Sequence, residues 1–175
     1  MSNLRLINET TITSSQSVTN ITDVFTSDFN IYKITVQDIS TVGTSDVNLN
    51  ARLINNSGSV VTASNYDYAV FQFKANAAFS ENKNVNQSRI DRISFSDQSP
   101  ESQGTVLYVH NPNSSSSYTF LNWQSVHMVG GNGGGVKGIA VHKVAQTIGG
   151  INFFDVDTDR PYNSGTIKVY GLAVN

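Results

Sequence analysis

The sequence contains no cysteine, which excludes disulfides and thiolate metal ligands at the outset. Charged residues make up only 14% of the chain, well below the roughly one quarter of an ordinary soluble domain, so Asn, Ser and Thr carry the polarity instead. A formal net charge of −2 supplies no basic field, and no nucleic-acid partner is expected. No apolar run approaches the ~20 residues of a membrane span, and no membrane partner is expected either. The opening Met1-Ser2-Asn3-Leu4-Arg5 lacks a basic segment followed by an apolar run. The expectation is therefore a soluble product made in the cytoplasm, leaving it, if at all, by lysis or a signal-free route. Helical periodicity is missing as well, because apolar residues at i, i+3, i+4 and i+7 are nowhere sustained over three turns.

What is present is enough for a core. At 175 residues and 38% hydrophobic, the chain suits one domain covering residues 1–175. Short alternating or apolar runs recur, bounded by Asn, Ser, Asp, Gly and Pro, the signal of an all-β sandwich or barrel. A single sheet of that many strands would expose a wide apolar face, so the expected fold is a two-sheet antiparallel β-sandwich. A jelly roll is the favoured arrangement, with an immunoglobulin-type sandwich as the alternative. Expected strands cover residues 4–7, 31–36, 47–54, 68–75, 89–96, 105–110, 151–155 and 166–174, with a short return strand at Val60-Val61. In these, Tyr32, Ile34 and Val36 share a face, Leu49, Ala51 and Leu53 point inward, and Phe71 and Phe73 lie opposite Gln72 and Lys74. Ile93 and Phe95 lie opposite Ile90 and Arg92. Residues 76–87 form a polar stretch holding Phe79 and read as a surface loop or one helical turn. Asn55-Asn56-Ser57-Gly58 reads as a hairpin turn.

The chain is organised around residues 118–144. Two strand-forming arms flank Gly130-Gly131-Asn132-Gly133-Gly134-Gly135, a cluster that reads as a wide chain reversal because glycine enters positive φ without steric penalty. On the first arm Leu121, Trp123, Ser125, His127 and Val129 share one face. Leu121, Trp123, Ile139 and Val141 are the expected centre of the core. Phe120 and Met128 are apolar on the opposite face, which is either half exposed or covered by a neighbouring subunit.

Three groups of residues carry a family resemblance. The first is Leu6-Ile7-Asn8-Glu9-Thr10-Thr11 with Val24-Phe25-Thr26-Ser27-Asp28-Phe29 and Tyr32-Lys33-Ile34. The second is Ala51-Arg52-Leu53-Ile54-Asn55 and Ser57-Gly58 with Ser64-Asn65-Tyr66-Asp67-Tyr68. The third is the terminal Ser164-Gly165-Thr166-Ile167-Lys168-Val169-Tyr170-Gly171-Leu172. In their order and their position at the termini these resemble small β-sandwich, jelly-roll-like virion accessory proteins of tailed bacteriophages, of the marine and cyanophage type. The resemblance spans the chain nearly end to end and transfers no active site. It implies a protein of the virion, assembled in the host cytoplasm: a capsid decoration (cement) protein first, or a receptor-binding head fibre or tail-appendage tip. The implied partners are the phage major capsid protein or other virion proteins, with a homo-oligomer expected and a trimer favoured.

Asp155-Val156-Asp157-Thr158-Asp159 has the alternate carboxylates of a calcium loop, but Arg160 stands where an EF-hand needs Gly and Thr166 where it needs Glu. The other reading is a polar turn whose Asp side chains accept from nearby backbone N–H groups. His110, His127 and His142 are the only histidines, and His127 and His142 pair across the hairpin in some registers. No HExxH, Gly-x-Ser-x-Gly or Walker motif occurs, and no pair of carboxylates stands out, so neither cofactor nor catalysis is expected. Asn-x-Ser/Thr sequons such as Asn20-Ile21-Thr22 are read as chance in so polar a chain. The best ligand or interface candidates are Tyr66, Tyr68, Tyr118 and Tyr162, read as loop tyrosines with Asp157 and Asp159 nearby. A tyrosine offers a stacking face and a hydroxyl, which suits protein interfaces and a glycan on a host surface alike. The competing reading is rim packing of the sandwich. A free, lectin-like carbohydrate-binding module is the alternative outside the virion class.

Overall fold

A computed structural model describes residues 3–41, 47–96, 103–129, 131–155 and 161–173. The chain forms β1 (Leu4–Ile12), β2 (Val18–Ile21), β3 (Ile31–Thr41), β4 (Val47–Asn55), β5 (Tyr66–Lys74) and β6 (Ala77–Gln87). It continues with β7 (Ile90–Ser96), β8 (Gly104–His110), β9 (Thr119–Val129), β10 (Asn132–His142), β11 (Ile148–Phe154) and β12 (Tyr162–Leu172). These build a two-sheet antiparallel sandwich. The large sheet has eight strands in the order β1-β12-β3-β8-β9-β10-β5-β6, and the small sheet has four, β2-β11-β4-β7. Successive strands cross repeatedly between the sheets, as in a jelly roll, but the division is eight to four rather than even.

Burial follows strand alternation closely where a strand is sandwiched. On β3 Tyr32, Ile34 and Val36 are buried, and on β8 Thr105, Leu107 and Val109; on β4 Leu49, Ala51 and Leu53 are buried, and so are Asn50 and Ile54. The turn between β2 and β3 buries Val24 and Phe25. On β11 every residue is buried, including the polar Asn152, whose amide donates to Asn20 Oδ1 at 2.7 Å.

Three large rings tie the sheets together through their polar ends. Tyr66 on β5 accepts from Leu53 N at 3.0 Å and donates to Val61 O at 3.2 Å. Tyr162 on β12 donates to Phe153 O at 3.1 Å. Trp123 on β9 donates from Nε1 to Arg92 O on β7 at 3.1 Å. Each buries an apolar ring and satisfies backbone groups of the opposite sheet, which is why a dry core tolerates them.

Several sequence expectations are corrected. Residues 76–87 contain neither a loop nor a helical turn but the edge strand β6, whose residues are exposed on both faces. Ile139 and Val141 point away from the core, and Ile139 is 62% exposed. The register Gly138↔Trp123 and Ala140↔Leu121 turns the small residues inward instead. The reason is volume: a Cβ on Gly138 would stand 2.2 Å from the Trp123 ring. Phe71 likewise lies on the outer face, because Tyr66, Tyr68 and Val70 fill the inner one. The glycine cluster is not a wide reversal. Strands β9 and β10 pair down to Val129↔Asn132, Gly131 takes φ 75°, and the later glycines belong to β10. On β7 both Ile90 and Ile93 are buried, because Arg92 adopts φ 61° where the pairing with β4 slips, and the alternation changes face there.

Candidate functional site

The small sheet covers one face of the large sheet and leaves the other bare. Pairings across β8, β9, β10, β5 and β6 set the rows of that outer face. One row runs His110, Phe120, Val141, Asp67; the next runs Tyr108, Asn122, Ile139, Ala69, Lys83. Of the exposed large hydrophobic side chains, Leu4, Leu6, Phe71, Phe79, Val85, Phe120, Val126 and Ile139 all belong to strands of this sheet. The contiguous group at β9, β10, β5 and β6 makes a shallow groove of about 950 Å³. Its floor is formed by the side chains of Phe120, Ile139 and Val141, and Val85 closes one side.

Polar groups are confined to the groove's rim. At one end Lys143 Nζ lies 2.8 Å from Asp67 Oδ1 and donates to Asn86 Oδ1 at 2.6 Å. Asp67 also accepts from Asn86 N at 2.8 Å, and its carboxyl is held below the ordinary value by Lys143 first and that N–H second. On the β8 side, His110 Nε2 and Asn122 Oδ1 are 2.7 Å apart. Toward β7, Asn84 donates to Tyr68 Oη at 2.9 Å, and Tyr68 donates to Asp91 Oδ2 at 2.7 Å. Burial, then the bond to Asp91, pushes the Tyr68 phenol up to about 12.

A smaller cleft of about 160 Å³ opens at the rim between the sheets, among Gln72, Lys74, Arg92, Phe95 and His127. Arg92 donates to Gln72 Oε1 at 2.9 Å there. Burial, with the Lys74 charge second, pushes His127 down to about 4, so the imidazole stays neutral near pH 7.

The tyrosine candidates separate. Tyr66, Tyr68 and Tyr162 are not loop residues: all three lie on strands and are buried. Burial raises the phenols of Tyr66 and Tyr162, the latter to about 12. Their hydroxyls are committed to internal partners, which removes them as exposed contact residues. Tyr118 alone is exposed, just before β9. Asp157 and Asp159 lie outside the described residues. The hairpin register sets His127 opposite Gly134 and His142 opposite Thr119, at different ends, so the two histidines do not meet. Among the described residues no group of three or more His, Cys, Asp or Glu side chains converges as metal ligands. Sequence reasoning missed Val85 and Ile139 as surface groups. The available signal was the excess of apolar residues on the second face of β9, at Phe120, Val126 and Met128.

Neither a protein-family model nor a curated protein sequence matches the chain. Among solved structures it is similar to the CBM2 module of the evolved Dit of Lactobacillus casei BL23 phage J-1. That match is at 10% identity and TM-score 0.28, covering 90% of this chain and 69% of that one. It is also similar to alginate lyase A1-II′ of polysaccharide lyase family 7, at 9% identity and TM-score 0.27, covering 84% and 64%. A third likeness is to the infectious bursal disease virus VP2 subviral particle, at 10% identity and TM-score 0.17, covering 98% and 41%. At such identities and scores nothing about function passes from those proteins to this chain.

Proposed function

We propose that this protein is a non-catalytic structural component of a tailed-phage virion. Within that class we assign it to capsid decoration, with the outer face of the eight-stranded sheet docking on the major capsid protein. The observation that carries the docking part is the bare apolar floor at Phe120, Ile139 and Val85, with its charges held at the rim. An apolar centre with a polar rim is the ordinary anatomy of a protein contact. An exposed apolar patch of this kind on a chain otherwise rich in Asn, Ser and Thr marks an interaction surface. The virion part is supported by the sequence resemblance described above.

A carbohydrate-binding role is the second reading. It is favoured by Phe120, 47% exposed, standing beside the hydrogen-bonding pair His110 and Asn122. Against it, a sugar laid along the groove would leave hydroxyls facing Val85, Ile139 and Val141 without partners.

Co-sedimentation with purified capsids lacking the protein tests the assignment. Wild type should pellet with the particles, and Ile139→Asp should stay in the supernatant while melting normally. Failure of the wild type to bind, or unchanged binding of Ile139→Asp, overturns it. Glycan-array binding abolished by Phe120→Ala selects the second reading.

A further inference from the structure

The sandwich has four sheet edges, and each carries an irregularity. Strand β2 is four residues long, β1 slips register between Leu6 and Asn8, and β7 is broken at Arg92. The fourth edge, β6, is eleven residues long; its pairing with β5 slips near both ends, and between the slips the five residues from Ser80 to Asn84 pair without interruption. A regular edge segment is a template for another strand, and natural proteins cover such edges or disrupt them.

The side chains of β6 point to its partner. Centred on Asn82, the sequence reads Phe79-Ser80-Glu81-Asn82-Lys83-Asn84-Val85. If a second copy of β6 runs antiparallel with Asn82 opposite Asn82, Glu81 faces Lys83, Lys83 faces Glu81, and Phe79 faces Val85. Each charge meets its opposite, and each apolar residue meets an apolar one. Directly opposed pairs of this kind are what stabilise an antiparallel ladder, whereas like charges opposed destabilise it. Within one chain Lys83 Nζ and Glu81 Oε1 are 2.7 Å apart and both are well exposed, so neither side chain is held back by burial.

We propose that β6 is a self-complementary edge through which two copies of this chain join, antiparallel about a two-fold axis at Asn82. The two large sheets then continue into one, and the two outer-face grooves lie on the same side, flanking the axis. Of the groove's apolar residues only Val85 takes part in this contact, and Phe120 and Ile139 do not, so Ile139→Asp tests the docking face without touching the edge and the two proposals fail separately. The symmetry also differs from that of a trimer, in which equivalent edges cannot face each other across a two-fold axis.

Two measurements on the isolated full chain test it. The first is mass in solution by light scattering. Wild type should give about 38 kDa, twice the 19.0 kDa of the chain. Glu81→Lys and Lys83→Glu, each opposing like charges, should weaken association by roughly tenfold or more. The double swap E81K/K83E should restore it, and all three should melt as wild type does. The second is cross-linking. Residues opposed in an antiparallel ladder have Cα atoms about 4.5–5.5 Å apart, within disulfide reach. The chain has no cysteine of its own, so Asn82→Cys should oxidise to a covalent dimer while Lys137→Cys should not. A monomer or trimer mass, charge variants that leave the mass unchanged, or an Asn82→Cys variant that stays uncross-linked overturns the proposal.

Discussion

At the scale of single residues, two positions set measurable limits on the core. Gly138 holds the space the Trp123 indole occupies, and any side chain there must displace a ring whose Nε1 also secures Arg92 O. Gly138→Ala should therefore destabilise by about 1–3 kcal/mol, as overpacking does, and should shift the tryptophan fluorescence to the red. The second position is His127. Its folded pKa is near 4, and its unfolded value returns to about 6.5. Between those pH values the unfolded chain binds a proton that the folded chain excludes, so stability is full above about pH 6.5 and falls as pH drops toward 4. The loss from this one group approaches about 3 kcal/mol. Burial also lowers His142, which adds to the slope with the same sign. Urea midpoints at pH 7 and pH 4.5 should differ, and His127→Gln should remove a large part of the difference.

At the scale of elements, what could be read in advance depended on whether both faces of a strand met different surroundings. Strand β3 alternates over residues 31–36 because one face meets the core, and its inward residues Tyr32, Ile34 and Val36 were legible; on β4 Leu49, Ala51 and Leu53 were legible too, although Asn50 and Ile54 are also buried. Strand β6 was not legible, because it lies at the end of the eight-stranded sheet, outside the cover of the small sheet, and meets no core on either face. Nor was the facing of β10, since size outranked hydrophobicity there: Gly138 and Ala140 are the residues that fit beneath Trp123 and Leu121. The candidate site was half legible. The apolar second face of β9 gave it away, while the tyrosines misled because composition cannot tell a stacking surface from a bolt between sheets. That bolt can be tested. Tyr66→Phe leaves Leu53 N–H buried beneath a ring with no acceptor, and should lower stability by about 1–3 kcal/mol in a denaturant titration. Loss of ligand binding at unchanged stability would instead revive Tyr66 as a contact residue.

At the scale of the whole molecule, eight strands against four leave the large sheet with two faces of different purpose. The inner face meets the core cluster, which draws from both sheets, so heat or denaturant should unfold the chain in one transition seen alike by tryptophan fluorescence and far-ultraviolet circular dichroism. The outer face contributes nothing to that core although it carries aromatic and branched aliphatic side chains. Neighbouring residues on β9 separate the two roles. Leu121 is 2% exposed and packs inward; Phe120 is on the groove floor. Leu121→Ala should lower stability by about 2–5 kcal/mol, the range for a truncated core leucine. Phe120→Ala should change it by no more than about 0.5 kcal/mol, as surface substitutions usually do. Its effect should appear only when the chain meets its partner. If Phe120→Ala destabilised the isolated protein as strongly as Leu121→Ala, the outer face would be part of the fold's own cohesion, and its apolar residues would no longer argue for anything docking there.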